Sequence, residues 1–523
     1  MSNSTGSSNG YLMGIDFGTE SVRAAIFDTK GTPITFAATP YKTTHRRPGW
    51  AEQDPDEWLS CLEASSHKAI DNAGISPSSI IGISYDATTS TVLALDENGA
   101  PLRPAIMWMD VRATKEAAKI SSTDSVAKLY NGDGTAPASA EWFPFKAAWI
   151  KENEPDVYER AYRIVDATDW ATRILTGDWT LSINTAAQRM YYNRDQGGWP
   201  VDLYEHLGIG DIFDKLPDKV VDLGESVGTL SSRAATVLGL VPGIPVAQGS
   251  ADAWAGQIGL GVVVPGKLAL ITGSSHVITG QSADPIHGAG FFGSYTDGVV
   301  RGQYTVEGGQ VSTGSVMKWF KDNFARDLVQ AADRAGLNAY DLLNQQSKHL
   351  APGADGLIIN EYLQGNRTPY VDGKARGNIY GLSLHHGPEH MYRAIQESIC
   401  YGTAHNLRVM QAQGFQPKEI VACGGATRGR DFMQMHSDVT GVPITLTEVG
   451  DAVVLGSCMM AAVGAGVYSS LEDAANNMVH VRESLEPRQD VHEEYQFYLD
   501  KYIELFPKVA DSIHEIVDHE AAK

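Results

Sequence analysis

Cysteine is scarce: the 523 residues include four, Cys61, Cys400, Cys423 and Cys458. They lie far apart and none shows the paired spacing of a zinc site or redox centre, so buried thiols in a reducing compartment are expected. Positive charge is also short. Lys plus Arg is 41 against 63 Asp plus Glu, a net charge of −22, and such a surface repels nucleic acid and anionic membranes. Long apolar runs are missing too. The most apolar stretches, 258–271 and 453–467, are broken by Gly or Pro or are too short to span a bilayer. The first ten residues, MSNSTGSSNG, are polar, lack the apolar segment of a signal peptide and are expected to be disordered. Together these absences lead to an expected cytoplasmic protein with no nucleic-acid or membrane partner.

What is present is an ordinary globular composition, 43% hydrophobic and 20% charged, in a chain too long for one hydrophobic core. Two or three domains are expected. Residues 11–28, YLMGIDFGTESVRAAIFD, read as an apolar strand that carries Asp16 into a small-residue turn and returns as a second strand. Gly18 and the hydroxyls of Thr19 and Ser21 let the backbone approach an anion closely. Asp16 is placed to hold the cation that accompanies phosphates, and Arg23 to offset their charge. A plain hairpin with an exposed acid, and a surface ion pair for Arg23, are the competing readings of this segment alone.

Strand-like and helical runs then alternate, which predicts α/β layers. Asp54-Pro55 starts a helix over 56–73, strands follow at 80–85 and 91–95, and a helical region is expected over 144–176. A second strand–turn–strand unit echoes the first at 267–280, with Gly273, Ser274 and Ser275 at its tip. Helices at 316–324 and 391–413 lead to a strand at 419–422, the turn Cys423-Gly424-Gly425-Ala426, and a helix over 431–440 that stops at Gly441. Acidic helices over 491–519 complete an outer layer. Two halves that open alike imply a duplicated core with a cleft between the copies, each contributing one Gly-bearing turn to the same polyphosphate.

Three further groups carry chemistry. Asp252, in GSADAWAG among small residues, is either a first-turn helix charge or a carboxylate free to accept a proton from a hydroxyl. Asp86 in YDATTST, with Trp108, Asp110 and Arg112 in MWMDVRA, suits a small polyhydroxylated ligand, though Trp108 reads equally as core. Glu307, in EGGQ, is an acid beside flexible glycines, and Gly424-Gly425 leaves room for a flat base or is a simple turn.

Taken together, in this order and over nearly the whole chain, the motifs resemble those of the FGGY carbohydrate kinases. GIDFGTESVRAAIFD is similar to their first phosphate motif and ALITGSSH to their second. VACGGATRGRDFMQMHSDVTGVP resembles their adenosine region, PFKAAWIKEN a family signature, and GSADAWAGQIGLG the segment of their catalytic Asp. The resemblance implies an α/β fold of two actin-like (ribonuclease H-like) domains, 11–262 and 263–523, closing over ATP, Mg2+ and a sugar. It implies Asp252 as general base and Asp16 beside the magnesium. Thr19, Ser21 and Arg23, with Gly18, Gly273 and Ser274, would face the phosphates, and Gly424, Gly425 and Ala426 the adenosine. Ala426-Thr427-Arg428 departs from the Ser-Lys-Asn of many relatives, so Arg428 is given no role. GISYDATTSTVLALD and EGGQVSTG are closest to the ribulokinase branch, which makes Asp86, Trp108, Asp110 and Glu307 expected sugar contacts. Arg189 stands where ribulokinases commonly carry a sugar-binding Lys, and Arg does not replace Lys neutrally. The branch makes a pentulose such as ribulose the first expectation, while Arg189 leaves another pentulose or a shorter polyol open: erythritol, xylulose or glycerol are the alternatives, and an actin-like protein-directed ATPase is the rival from another class. Homodimers are common in this family, but the sequence shows no interface.

Overall fold

The computed structural model describes residues 10–130, 138–290 and 292–523. The expectation of disorder over the first ten residues falls, Gly10 apart, outside the described residues. Strands β1 (Tyr11–Phe17), β2 (Ser21–Asp28), β3 (Pro33–Pro40), β4 (Ile80–Ala87), β5 (Ser226–Thr229) and β6 (Pro245–Ala247) form one sheet in the order β5-β6-β4-β1-β2-β3, and β7 (Ser250–Ala251) also pairs with β4. β1, β2 and β3 are antiparallel neighbours, whereas β4 runs parallel to β1 on its other side.

The second half repeats this plan. β8 (Lys267–Thr272), β9 (His276–Ser282), β10 (Gly293–Thr296), β11 (Tyr304–Gln310), β12 (Glu419–Gly424), β13 (Ile444–Thr447) and β14 (Val481–Leu485) assemble as β10-β11-β9-β8-β12-β13-β14. The strands β8, β9 and β11 are antiparallel, and β12 lies parallel to β8, as β4 does to β1. Helical structure separates the third strand of each hairpin set from the next parallel strand: α1 (Pro55–Ala73) in the first half, and in the second a series of helices that ends with α3 (Pro388–Ala412). This is the two-fold actin-like (ribonuclease H-like) arrangement. Asp54 caps α1 by accepting the amide N–H of Asp56 at 3.0 Å.

One element departs from its expected form. The region 144–176 is not one helix but three, with the strand Arg163–Asp166 inserted before the last. Pro155 opens the short middle helix, and the strand pairs antiparallel with Val92–Leu95. It belongs to a small four-stranded sheet that caps the first half over its own core, which contains Phe143, Phe145 and Tyr204. The terminal helical layer is, as expected, more than one helix: Gln489–Leu505 and Ala510–Ala521, divided at Phe506-Pro507. All four cysteines are buried and unpaired. Among the described residues, no helix is long and apolar enough to cross a membrane.

The halves meet through the equivalent helices α2 (Asp252–Gly259) and α5 (Ala452–Gly464), with α4 (Arg430–Thr440) preceding the latter. α5 is apolar on every side and almost wholly buried, as a helix packed between two layers must be. Its contact with α2 is reciprocal. A Cβ on Gly259 would lie 1.8 Å from the carbonyl oxygen of Ala452, and one on Gly456 would lie 1.9 Å from that of Ala255. The two backbones touch where each helix spaces Ala and Gly four residues apart, and only hydrogen fits there. Around this crossing Trp254 and Ile258 share a core with Val454, Met459 and Met460. Gly456→Val should therefore separate the helices and cost about 1–3 kcal/mol or more, since the obstructing atoms are backbone. Denaturant titration checks this, and a variant as stable as the parent would show that the crossing yields easily.

Candidate active site

Asp252 is the first residue of α2, and its carboxylate accepts the N–H of Ala253 at 2.7 Å. It lies on the wall of a cavity of about 290 Å³ formed by both halves. Thr19, Thr88, Thr89, Ser90, Trp108, Glu141, Trp142 and Arg189 line it from the first half, and Ser275, Phe292, Glu307 and Arg367 from the second. Burial, and then the charge of Asp16, push Asp252 up to about 7, with the Ala253 amide opposing. A carboxylate so placed is basic enough to take a hydroxyl proton near neutrality.

A second cavity, about 390 Å³, lies in the C-terminal half between Gly273, Gly425, Ala426 and Arg428 on one side and Tyr340, Asn344, Tyr392 and Gln396 on the other. The turn 273–275 belongs to both, with Gly273 in the larger cavity and Ser275 in the smaller. A ligand with a flat base in one cavity would thus cross this turn to reach Asp252 in the other. Gly424 is forced by its place: φ is +93°, and a Cβ there would lie 1.9 Å from the carbonyl oxygen of Thr272. The Thr272 hydroxyl donates to Cys423 O at 2.6 Å and accepts from Ala426 N at 3.2 Å, which shapes the turn. A larger groove, about 580 Å³, lies beside α1 and holds none of the expected site residues.

Asp16 and Asp86 are register partners on the parallel strands β1 and β4, so their side chains emerge side by side. Both are buried, and each has one carboxylate oxygen without a hydrogen-bond partner. Burial raises Asp16 to about 6 against the pull of Arg23, and burial followed by the charge of Asp16 raises Asp86 well above the carboxylate range. Two such groups cannot both ionise without a counter-ion. Ser457 of α5 donates to the other Asp86 oxygen at 2.6 Å, tying the pair to the second half. Asp86 thus stands with Asp16 rather than in the small cavity expected for it.

Asp110 is also absent from that cavity. It is fully buried, accepts the Ala51 N–H at 2.6 Å and is held by Arg112 at 2.7 Å, while Arg112 also meets Glu52 at 2.9 Å. Asp110 and Arg112 neutralise each other under the loop and leave Trp108 to face the ligand space. Trp108 donates its indole N–H to the Thr19 hydroxyl at 3.1 Å. Arg23 lines neither cavity; it pairs with Asp451 just before α5. Gly18, Ser21 and Ser274 border the turns without lining either space.

Arg189 and Glu307 are brought together as a pair rather than as two independent contacts. They form a two-pronged bridge across the halves at 2.8 and 3.0 Å, and the Tyr295 hydroxyl donates to Glu307 at 2.6 Å. Burial alone would raise Glu307, but Arg189 and Tyr295 hold it below the ordinary carboxylate range. Arg189 also stacks 5.0 Å from the Trp254 ring.

Residues 11–259 match the N-terminal domain of the FGGY family of carbohydrate kinases, and 268–465 match its C-terminal domain. The chain belongs to this family. It is a carbohydrate kinase, a phosphotransferase acting on an alcohol group. A ribulokinase of Geobacillus thermodenitrificans is 31% identical, with 90% of each chain covered. An FGGY carbohydrate kinase domain-containing protein of Xenopus laevis is 31% identical over 96% of each chain. The crystal structure of xylulose kinase from Rhodospirillum rubrum superposes with a TM-score of 0.86 at 27% identity, covering 96% of this chain and 100% of that one.

Within this FGGY kinase, sequence reasoning missed several residues. Lys146 lies inside the recognised stretch PFKAAWIKEN and donates to the carbonyls of Ser90, Met107 and Trp108 at 2.8, 2.7 and 3.2 Å. It binds the turn 88–90 to the Trp108 loop from below; a Lys set among Phe145, Ala147, Ala148 and Trp149 was the available signal. Thr88, Thr89 and Ser90 are legible as a hydroxyl run but not as cavity wall. Nothing local marks Trp142 or Arg367. Glu307→Gln should leave Arg189 buried without its charge partner and cost about 3–5 kcal/mol. The paired change Arg189→Met with Glu307→Leu should recover much of that loss in the same urea titration. Equal losses in both variants would contradict the pairing.

Proposed function

We propose that this kinase transfers the γ-phosphoryl group of MgATP to a terminal hydroxyl of a small ketose or polyol, a pentulose such as ribulose being the first choice. Residues 11–262 would supply most of the acceptor pocket and 263–523 the nucleotide site. The observation that carries the reading is Asp252 on the wall of the 290 Å³ cavity, beside the turn shared with the nucleotide-sized cavity. That volume is at the small end of ligand pockets, roughly 300–1,000 Å³, and suits a small acceptor. The ribulokinase similarity over 90% of the chain favours a pentulose.

In this mechanism Asp252 accepts the proton of the acceptor hydroxyl while its oxygen attacks the γ-phosphorus in line. Trp108 packs the carbon skeleton. Thr88, Thr89, Ser90, Arg189 and Glu307 orient its hydroxyls, and the turns at Gly18–Ser21 and Gly273–Ser274 face the triphosphate. Arg23 would release Asp451 to approach it. Asp16 and Asp86 would hold Mg2+: their two unpartnered oxygens form a hard-oxygen set, and a cation would offset the burial that raises both groups and the charge of Asp16 that adds to it at Asp86. The ion, when bound, neutralises charge on the phosphates. Closure of the halves excludes water and so limits idle hydrolysis.

A coupled ADP-release assay over ribulose, xylulose, erythritol and glycerol tests the assignment. Sugar-dependent turnover with a pentulose is expected, and ATP hydrolysis indifferent to every sugar would favour the protein-directed ATPase instead. Asp252→Asn should lower turnover by about 10²-fold or more. The kcat/KM of the parent should fall as pH drops through about 7, where Asp252 takes up its proton. The same substitution should stabilise the protein at pH 8. With its folded value raised to about 7, Asp252 favours the folded state when protonated, so its stability contribution falls as pH rises from about 4 to 7. Asn removes that loss, a difference on the order of a few kcal/mol at pH 8 that vanishes near pH 4. A melting point at pH 8 no higher than the parent's would contradict the buried, raised carboxylate.

A further inference from the structure

Away from the cleft, the segment SLHHGPEH at the start of α3 gathers three imidazoles around Asp355. Asp355, His385 and His390 each offer one ligand atom, and all three atoms lie within 4.8 Å of one another. The Nε2 atoms of His385 and His390 stand 3.4 and 3.3 Å from one oxygen of Asp355. Those separations are long for hydrogen bonds. They match the edge of a tetrahedron whose metal–ligand bonds are about 2.0–2.1 Å, which is roughly 3.3–3.4 Å.

The surroundings are built around the carboxylate. Asp355 holds a left-handed backbone, φ 55° and ψ 34°, that few residues other than Gly, Asn and Asp adopt readily. His386 fixes the same turn by reaching the Asp355 carbonyl at 3.2 Å while its Nδ1 accepts from Ser383 N at 3.0 Å. His390 is buried, and its Nδ1 has two alternative partners: the Gly387 N–H at 3.0 Å and the Glu389 carboxylate at 3.4 Å. Donation of Nδ1–H to Glu389 leaves the Nε2 lone pair free for a metal, the carboxylate–histidine arrangement that supports metal-bound imidazoles.

We propose that Asp355, His385 and His390 bind one borderline divalent cation of the Zn2+ class, with a fourth position open to water. Two imidazoles and one carboxylate select Zn2+, Co2+ or Ni2+ over Mg2+ and Ca2+, which prefer oxygen throughout. The bound ion would pin the turn 354–356 and the loop 383–387 to the start of α3. The same helix supplies Tyr392, Gln396 and Ile399 to the nucleotide-sized cavity, so the site would brace one wall of that cavity.

Chelator-treated protein titrated with Zn2+ by calorimetry, and with Co2+ followed by its visible absorption, tests the site. One Zn2+ per chain at micromolar affinity or tighter is expected, with Co2+ bands of low-coordinate geometry and no displacement by Mg2+. His385→Ala, at an exposed position that leaves folding intact, and Asp355→Asn should each weaken Zn2+ at least tenfold and abolish the Co2+ bands while sugar kinase turnover persists. Binding unchanged in both variants would assign the metal to others of the 15 histidines and overturn the proposal. So would the absence of binding at millimolar Zn2+.

Discussion

The structure depends on one close approach, the crossing of α2 and α5, where Gly259 meets the Ala452 carbonyl and Gly456 meets that of Ala255. Three of the site's acids are reached from these two helices. Asp252 begins α2, and Ser457, one residue past the Gly456 contact, reaches Asp86. Asp451, just before α5, takes Arg23 from β2. A side chain at either glycine would push the helices apart and move the base relative to the carboxylate pair. The crossing also explains why the site is assembled from both halves although each has its own sheet and core.

Polar groups buried at this junction are matched so that charge is either paired or held for a ligand. Arg189 and Glu307 neutralise each other across the cleft, as do Arg112 and Asp110 beneath it. Among the described residues, Asp16, Asp86 and Asp252 have no ion-pair partner of their own and feel only the pull of Arg23 on Asp16 and of Arg189 on Asp252. Burial raises all three, and the charge of Asp16 adds to it at Asp86 and Asp252. Such a concentration of raised carboxylates is destabilising by itself, and it marks the place where function overrides packing.

The duplicated hairpins were legible because period-two patterns and small-residue turns are local signals. The inserted strand Arg163–Asp166 was not, because a four-residue strand between helices has no periodicity of its own and exists through pairing with Val92–Leu95. Asp86 was legible as a functional acid but was expected among the sugar contacts; the parallel register that sets it beside Asp16 is a long-range fact. The surroundings of Asp110 were not legible for a related reason, since the Ala51 amide and Glu52 that complete its ion network lie about sixty residues earlier.

By itself the sequence determined the strand–turn–strand units, the acidic surface, and which short motifs carry carboxylates and glycines, because these follow from side-chain identity and near-neighbour sterics. Only the tertiary structure decided which acids share a site, that Arg189 closes on Glu307 over a gap of 118 residues, and that His385 and His390 converge on the Asp355 carboxylate while His386 reaches its carbonyl. Charges separated by hundreds of residues meet only after the chain has buried its apolar surface, and that burial, not the local pattern, sets their distances and their protonation.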